Sequence, residues 1–228
     1  MRAIFFDANG VLYYRVDKNR PMRMFLERHQ LPVPLAETVR AATADMRGSA
    51  FIGAISKAAY YDAVLAAWGV TDPRLREEGH RVQDAAQAAI FLHVGVLETL
   101  PALKVRGFKL GIVTNAVAST TDKLRWLRDS GLAVAWDAVA NSAEVGVVKP
   151  DPRIYLAALE QAGVAAAEAL FVGHKQSEIS GAHAVGMHTV AFNADPAVRA
   201  EYTIVRFADL LDLPVIHTPT AASPVDAA

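Results

Sequence analysis

The chain has 228 residues, 53% of them hydrophobic and 21% charged, with a formal net charge of −1. That length supports a full buried core, either as one large domain or as one domain carrying an insert. The balanced charge, without long like-charge blocks, argues against a nucleic-acid partner. The absence of cysteine excludes disulfides, thiolate-bound zinc and a thiol nucleophile.

Residues Ala3 to Phe6 form a short apolar run that ends in Asp7 and then Gly10. It reads as a buried strand whose C-terminal end delivers a carboxylate into a loop. Too few apolar residues precede Asp7 for a signal peptide, and no apolar window is long enough to cross a membrane. A soluble cytoplasmic protein with no membrane partner is expected.

Residues 15–93 read differently. They are rich in Ala, Arg, Glu and Leu at helical spacing and lack β-branched runs. An all-helical insertion is expected there, with breaks near Pro32 to Pro34, Gly48 to Gly53 and Gly69 to Pro73. The strand pattern then resumes. Lys109 to Asn115, Ala169 to His174 and His188 to Asn193 are apolar runs ending in polar residues, and Trp136 to Ala140 is a weaker one before Asn141 and Ser142. Helical patterns alternate with them. Ser119 to Ser130 is closed by Gly131, Asp151 to Gln161 carries Pro152 in its first turn, and Glu178 to Val185 is closed by Gly186. Strands alternating with helices imply parallel pairing and right-handed crossovers, with the active site beyond the C-terminal strand ends. The expected fold is α/β, a Rossmann-like doubly wound parallel sheet over 1–14 and 94–213. Residues 214–228, rich in Pro, Thr, Ser and Ala, are expected to form a flexible tail. His183, His188 and His217 read as bland, and Trp68, Trp126 and Trp136 read as core.

Four strand-end elements converge in this layout. They are Asp7 to Val11 (DANGV), Thr114-Asn115 (GIVTN), Lys149 before Pro-Asp-Pro (VVKPDP), and Gly173-His174 followed by Lys175 and Glu178 (VGHKQSEISGAHAVGM). In their order and spacing they resemble the four motifs of haloacid dehalogenase-like hydrolases with a helical cap inserted after the first strand.

The resemblance implies a hydrolase acting on a small molecule. Asp7 is the nucleophile that forms an aspartyl ester. The Thr114 hydroxyl and the amides of the Asp7 to Val11 loop stabilise developing negative charge, with Asn115 a further candidate catalytic residue beside Thr114. Lys149 balances and orients Asp7, and Gly10, counted with the substrate-binding residues, permits the tight loop that lets the cap lead out of the sheet.

Two positions depart from the family's phosphatases. Their general acid–base aspartate is Asn9 here, and an amide exchanges no proton near neutral pH. Their first metal-binding aspartate of the fourth motif is His174, a poor ligand for magnesium. Asp7, Glu178 and Lys149 nevertheless give the same net charge that four carboxylates, a lysine and Mg²⁺ give in those phosphatases. No cofactor, or Mg²⁺ held weakly at Asp7, is therefore expected.

Three readings follow. A phosphatase-type enzyme with an altered acid–base and metal site would act on an activated leaving group, with His174 as base. A metal-independent 2-haloacid dehalogenase-like enzyme would need no acid, since a halide leaves unprotonated. Arg40 and Arg47 are then candidates for holding the substrate carboxylate, and Lys175 adds positive charge. The Asp7 loop lacks the aromatic residue typical of those dehalogenases. The third reading is a ligand- or partner-binding protein that keeps the fold without turnover. The oligomeric state is open.

Overall fold

A computed structural model describes residues 1–217. Strand β1 (Ala3–Phe6) leads through the Asp7 loop into the two-residue strand β2 (Tyr13–Tyr14). Five helices follow: α1 (Arg20–Arg28), α2 (Ala36–Ala42), α3 (Ala44–Phe51), α4 (Lys57–Ala67) and α5 (Arg76–Ala88). The chain returns through β3 (Phe91–Leu92), which pairs antiparallel with β2. Entry to and exit from the helical stretch therefore lie side by side.

The remainder alternates. Helix α6 (Val96–Val105), β4 (Lys109–Thr114), α7 (Thr120–Asp129), β5 (Ala138–Asn141) and α8 (Ser142–Val145) come first. Then come α9 (Pro152–Ala162), β6 (Ala169–Gly173), α10 (Gln176–Ala184), β7 (His188–Phe192), β8 (Tyr202–Ile204) and α11 (Pro214–His217). Six strands form one parallel sheet in the order β5-β4-β1-β6-β7-β8. The chain moves outward from β1 to one side, then crosses back and moves outward on the other. Asp7 sits at the end of the central strand, where the order reverses.

Period-two alternation divides the core. Ile4, Phe6, Leu110, Ile112, Leu170 and Val172 pack on one face of the sheet. Ala3, Phe5, Val113, Ala169 and Phe171 pack on the other, against α9 and α10. Each large side chain buried this way contributes about 1.5–3 kcal/mol. The helical stretch has its own cluster, built on Met22, Phe25, Leu26, Leu65 and Trp68. Helix starts follow local chemistry: Ser119 accepts from the Asp122 amide, and Asp151 accepts from the Arg153 amide ahead of Pro152.

The structure differs from the sequence pattern in four places. Gly48 lies inside α3 rather than at a break, and the turn comes after Phe51. Helix α6 contains Pro101, which disguises it in the sequence. Strands β2, β3 and β8 are too short to show a period. Pro214–His217 is helical with Ile216 buried, so no flexible tail begins at 214. The rest of the expected tail lies outside the described residues.

Candidate active site

Asp7 follows β1 and is 5% exposed. Its Oδ1 accepts from the Ala8 amide at 2.8 Å and from Lys149 Nζ at 2.6 Å. Its Oδ2 has one polar neighbour of note, His174 Nδ1 at 3.3 Å, too far off line for a hydrogen bond. Burial opposes ionisation of Asp7, but the Lys149 ammonium and then His174 outweigh it, holding the carboxyl well below the usual range. The outcome is an ionised, buried carboxylate with one oxygen clamped and one exposed to attack chemistry.

Lys149 is itself positioned from three sides. Its backbone N–H donates to Asn115 Oδ1 at 2.8 Å, and Asn115 Nδ2 donates back to its carbonyl at 3.4 Å. Asn115 thus acts on the Lys149 backbone. Lys149 Nζ also reaches Glu178 Oε2 at 3.2 Å, so one ammonium spans two carboxylates. Tyr155 donates to the Glu178 carbonyl at 2.7 Å. Gly181, one turn along α10 from Glu178, lets that helix approach the Lys149 loop. A Cβ there would fall 2.8 Å from the Pro150 carbonyl oxygen. Thr114, 2% exposed at the end of β4, lines the same cavity as Asp7.

Asn9 is exposed, and its Oδ1 accepts from Arg15 Nη1 at 3.2 Å. Gly10 has φ +97°, and the His174 ring fills the place of its missing side chain. Lys175 points largely outward and pairs with Glu178 Oε1 at 3.4 Å.

Above Asp7 lies a cavity of about 690 Å³ between the sheet and the helical stretch. It gathers Asp7, Asn9, Gly10, Thr114, Asn115, Lys149, Lys175, Glu178 and, from α3, Arg47. Arg40 is not among its walls. It lines a neighbouring pocket of about 260 Å³ within the helices, which shares Lys18, Arg47, Tyr60, Tyr61 and Gln87 with the cavity, and it pairs with Glu37 at 3.5 Å. On α2 its direction is set by packing of Val39 into the helical core, which leaves the next residue exposed.

The cavity reverses the charge balance drawn from the motifs. Arg15, Lys18, Arg47, Lys123, Lys149 and Lys175 line it, against the carboxylates of Asp7 and Glu178. Partial burial and then the like charges of Arg47, Arg15 and Arg40 push the Lys18 ammonium below its ordinary value. Arg15, Lys18, Lys123 and Tyr13 were not read as site residues from the sequence, and Trp126 was read only as core. Lys123 carried a signal: it sits three and four residues before Trp126 and Leu127, a charge placed on the apolar stripe of α7.

Asp7, His174 and Glu178 bring one ligand atom each within 4.8 Å of one another. Two carboxylates and an imidazole suit a borderline ion better than magnesium. Lys149 already spans both carboxylates, so a divalent ion there would meet an ammonium. The residues present fit magnesium poorly. Among the described residues no helix is long and apolar enough to cross a membrane.

A family model described as haloacid dehalogenase-like hydrolase matches residues 1–186. The chain is 40% identical over 97 residues to glyceraldehyde 3-phosphate phosphatase of Methanopyrus kandleri, covering 42% of this chain and 40% of that protein. It is 38% identical over 96 residues to (S)-2-haloacid dehalogenase 1 of a Pseudomonas species, covering 42% of this chain and 41% of that protein. The matched stretch thus spans about two fifths of each relative's length. A 2-haloacid dehalogenase structure from Pseudomonas syringae pv. Tomato superposes with a TM-score of 0.72 at 23% identity, covering 93% of this chain and 97% of that one. At that identity the likeness speaks for the fold.

Proposed function

Because the chain belongs to the haloacid dehalogenase-like hydrolases, we propose that it hydrolyses a small anionic metabolite at a phosphoryl centre, through an ester of Asp7. The observation that carries this reading is the cavity wall, with six basic side chains against two carboxylates. Phosphoryl transfer depends on neutralising charge, and fixed ammonium and guanidinium groups supply that neutralisation here. No step needs a metal.

In the first step the free Asp7 Oδ2 attacks phosphorus while Lys149 and the Ala8 amide hold Oδ1. The Oδ2–P bond forms and the bond from phosphorus to the leaving oxygen breaks, the electron pair going with that oxygen. Asn9 cannot protonate it, so the substrate is one whose leaving group is already a stable anion, such as an acyl phosphate or a phosphoanhydride. In the second step water attacks the phosphorus of the ester, the bond from phosphorus to Oδ2 breaks to release Asp7, and the water's proton passes to the His174 ring. Residues 15–93 act as a lid over this cavity, and 1–14 with 94–213 as the catalytic body.

A carbon-centred, dehalogenase-type reaction is the second reading. Asn9 turned to Arg15 favours it, since halide loss requires no acid and Arg15 lies ready for a carboxylate.

The test is turnover of acetyl phosphate, phosphoanhydrides, simple phosphomonoesters and 2-haloacids, with Mg²⁺ and with chelator, beside Asp7→Asn. Phosphate release from the activated compounds that survives chelator and vanishes in the variant is expected. Halide release instead would establish the second reading. No turnover of any compound would overturn both.

A further inference from the structure

One wall of the cavity holds groups that the chemistry at Asp7 does not use. Lys123 is 3% exposed, and burying an ammonium is costly unless it is paired. Among the described residues no carboxylate pairs with it. Its Nζ reaches the Tyr13 hydroxyl at 3.0 Å and lies 5.6 Å from the Tyr13 ring centre. One of its three N–H donors is thereby used.

Trp126, one turn further along α7, lines the same cavity at 4% exposure. Its indole Nε1 is buried and has no hydrogen-bond partner. Buried N–H groups are seldom left so, because an unmet donor costs about 1–3 kcal/mol. The Arg15 guanidinium completes the group. It lies 4.9 Å from the Tyr13 ring centre and 5.8 Å from that of Trp126. Nε and Nη2 of Arg15 donate to the Gln87 carbonyl at 2.9 and 2.7 Å, which fixes its plane without neutralising it. Two fixed cations, a phenol and an unmet indole N–H thus share one wall, joined to the Asp7 loop through Arg15 and Asn9.

We propose that Lys123, Tyr13, Trp126 and Arg15 form a second oxyanion subsite, taking the carboxylate or phosphate at the far end of a substrate that carries two anionic groups. The reacting group then sits at Asp7 and Lys149, and the distant one here. The assignment rests on the cavity being the substrate site. It narrows the substrate class from anionic metabolites to doubly anionic ones. The volume of about 690 Å³ leaves room for both groups and a short linker.

The experiment is calorimetric titration of the unaltered protein with non-hydrolysable probes. Methylphosphonate offers one anionic group. Phosphonoacetate and 3-phosphonopropionate add a carboxylate, methylenebisphosphonate adds a phosphonate, and malonate and glutarate are dicarboxylates. At least one two-anion phosphonate should bind about tenfold or more tighter than methylphosphonate, the effect of one charge-assisted contact. That ratio should fall to about one in Lys123→Met and shrink in Trp126→Phe, which keeps an aromatic ring but loses the N–H. Whether the carboxylate or the phosphonate probe gains more identifies the second group. Equal binding of one-anion and two-anion phosphonates overturns the subsite while leaving the phosphoryl reading intact. Dicarboxylate binding that depends on Lys123, with no phosphonate bound, upholds the subsite and overturns the phosphoryl reading. A ratio unchanged in both variants, or no binding of any probe, overturns the subsite. If Lys123→Met does not fold, Trp126→Phe and Tyr13→Phe decide by the same ratio.

Discussion

Gly10 and His174 share one space: a Cβ on Gly10 would fall 2.6 Å from imidazole Cε1 and 2.7 Å from Nε2. The turn after Asn9 and the ring beside Asp7 are therefore a single packed unit. Gly10→Ala should cost about 1–3 kcal/mol through its positive φ, with a further loss from displacing the ring. Adding His174→Gly should recover the second loss and not the first. Urea unfolding of the two single variants and the double variant measures that coupling.

Lys149→Met removes the cation between Asp7 and Glu178. Breaking a buried pair in this way costs about 3–5 kcal/mol. The pH dependence has a definite sign. The folded state depresses Asp7, so the stability from its pairing is fully present above the ordinary aspartate range. It is lost as pH falls through the depressed value. In Lys149→Met the Asp7 carboxyl rises, and the acid limb of both stability and turnover should move to higher pH. Unfolding curves across the acid range, beside a pH–rate profile, check this. An unmoved acid limb would count against the pairing.

His174→Asp should convert a poor magnesium site into a usable one. Three carboxylates would then surround the place where two carboxylates and an imidazole now lie within 4.8 Å. Titration calorimetry with Mg²⁺ should show binding in the folded variant, and much weaker binding or none in the unaltered protein. Equal heats in both would refute the idea that the imidazole is what disfavours the ion.

Lys57 on α4 reaches Asp84 at 3.0 Å within the helical stretch and Asp122 on α7 at 3.1 Å. It ties the helical stretch to α7. Lys57→Met should loosen closure, raising KM more than it lowers kcat. Limited proteolysis near Arg15 and Gly95 should quicken as well. Bound phosphonate should slow that cleavage in the unaltered protein.

Tyr13 is a buried phenol whose burial opposes ionisation, yet Lys123 and then Arg15 outweigh it and lower its pKa. Ultraviolet difference spectra should show one tyrosine titrating below the ordinary phenol range, a signal absent in Tyr13→Phe. Lys123→Met should move that signal upward in pH. A folded variant with an unchanged titration would disprove the coupling.

Much of this site was readable before any coordinate. Parallel strands end in loops on one side of a sheet, so Asp7, Thr114 and His174, which follow β1, β4 and β6, had to lie close once the strands were recognised, whereas Lys149 comes after α8 and Glu178 from within α10. What resisted reading was direction around a helix. Arg40 and Arg47 looked equivalent, yet Arg40 on α2 lines only the pocket within the helices, whereas Arg47 on α3 lines both that pocket and the cavity that holds Asp7. Trp126 satisfied every expectation of a core residue while also presenting an unmet donor. The charge balance inverted because Arg15, Lys18 and Lys123 come from segments outside the motifs. Their convergence depends on how the helical stretch folds back, which periodicity does not encode. The shortest strands were invisible for a simpler reason: two or three residues cannot display a period.

The antiparallel pairing of Tyr13–Tyr14 with Phe91–Leu92 has a consequence for engineering. Both crossings between the sheet and the helices pass through one small ribbon, so the helices from Arg20 to Gln87 should be removable as one cassette, with Ala88 and Ile90 kept because they pack in the core of the sheet. A tight hairpin turn joining the two strands should leave a minimal protein that folds on its sheet alone. Helical cassettes from relatives could then be grafted at the same joint, changing which molecules are admitted while the carboxylate beneath stays as it is.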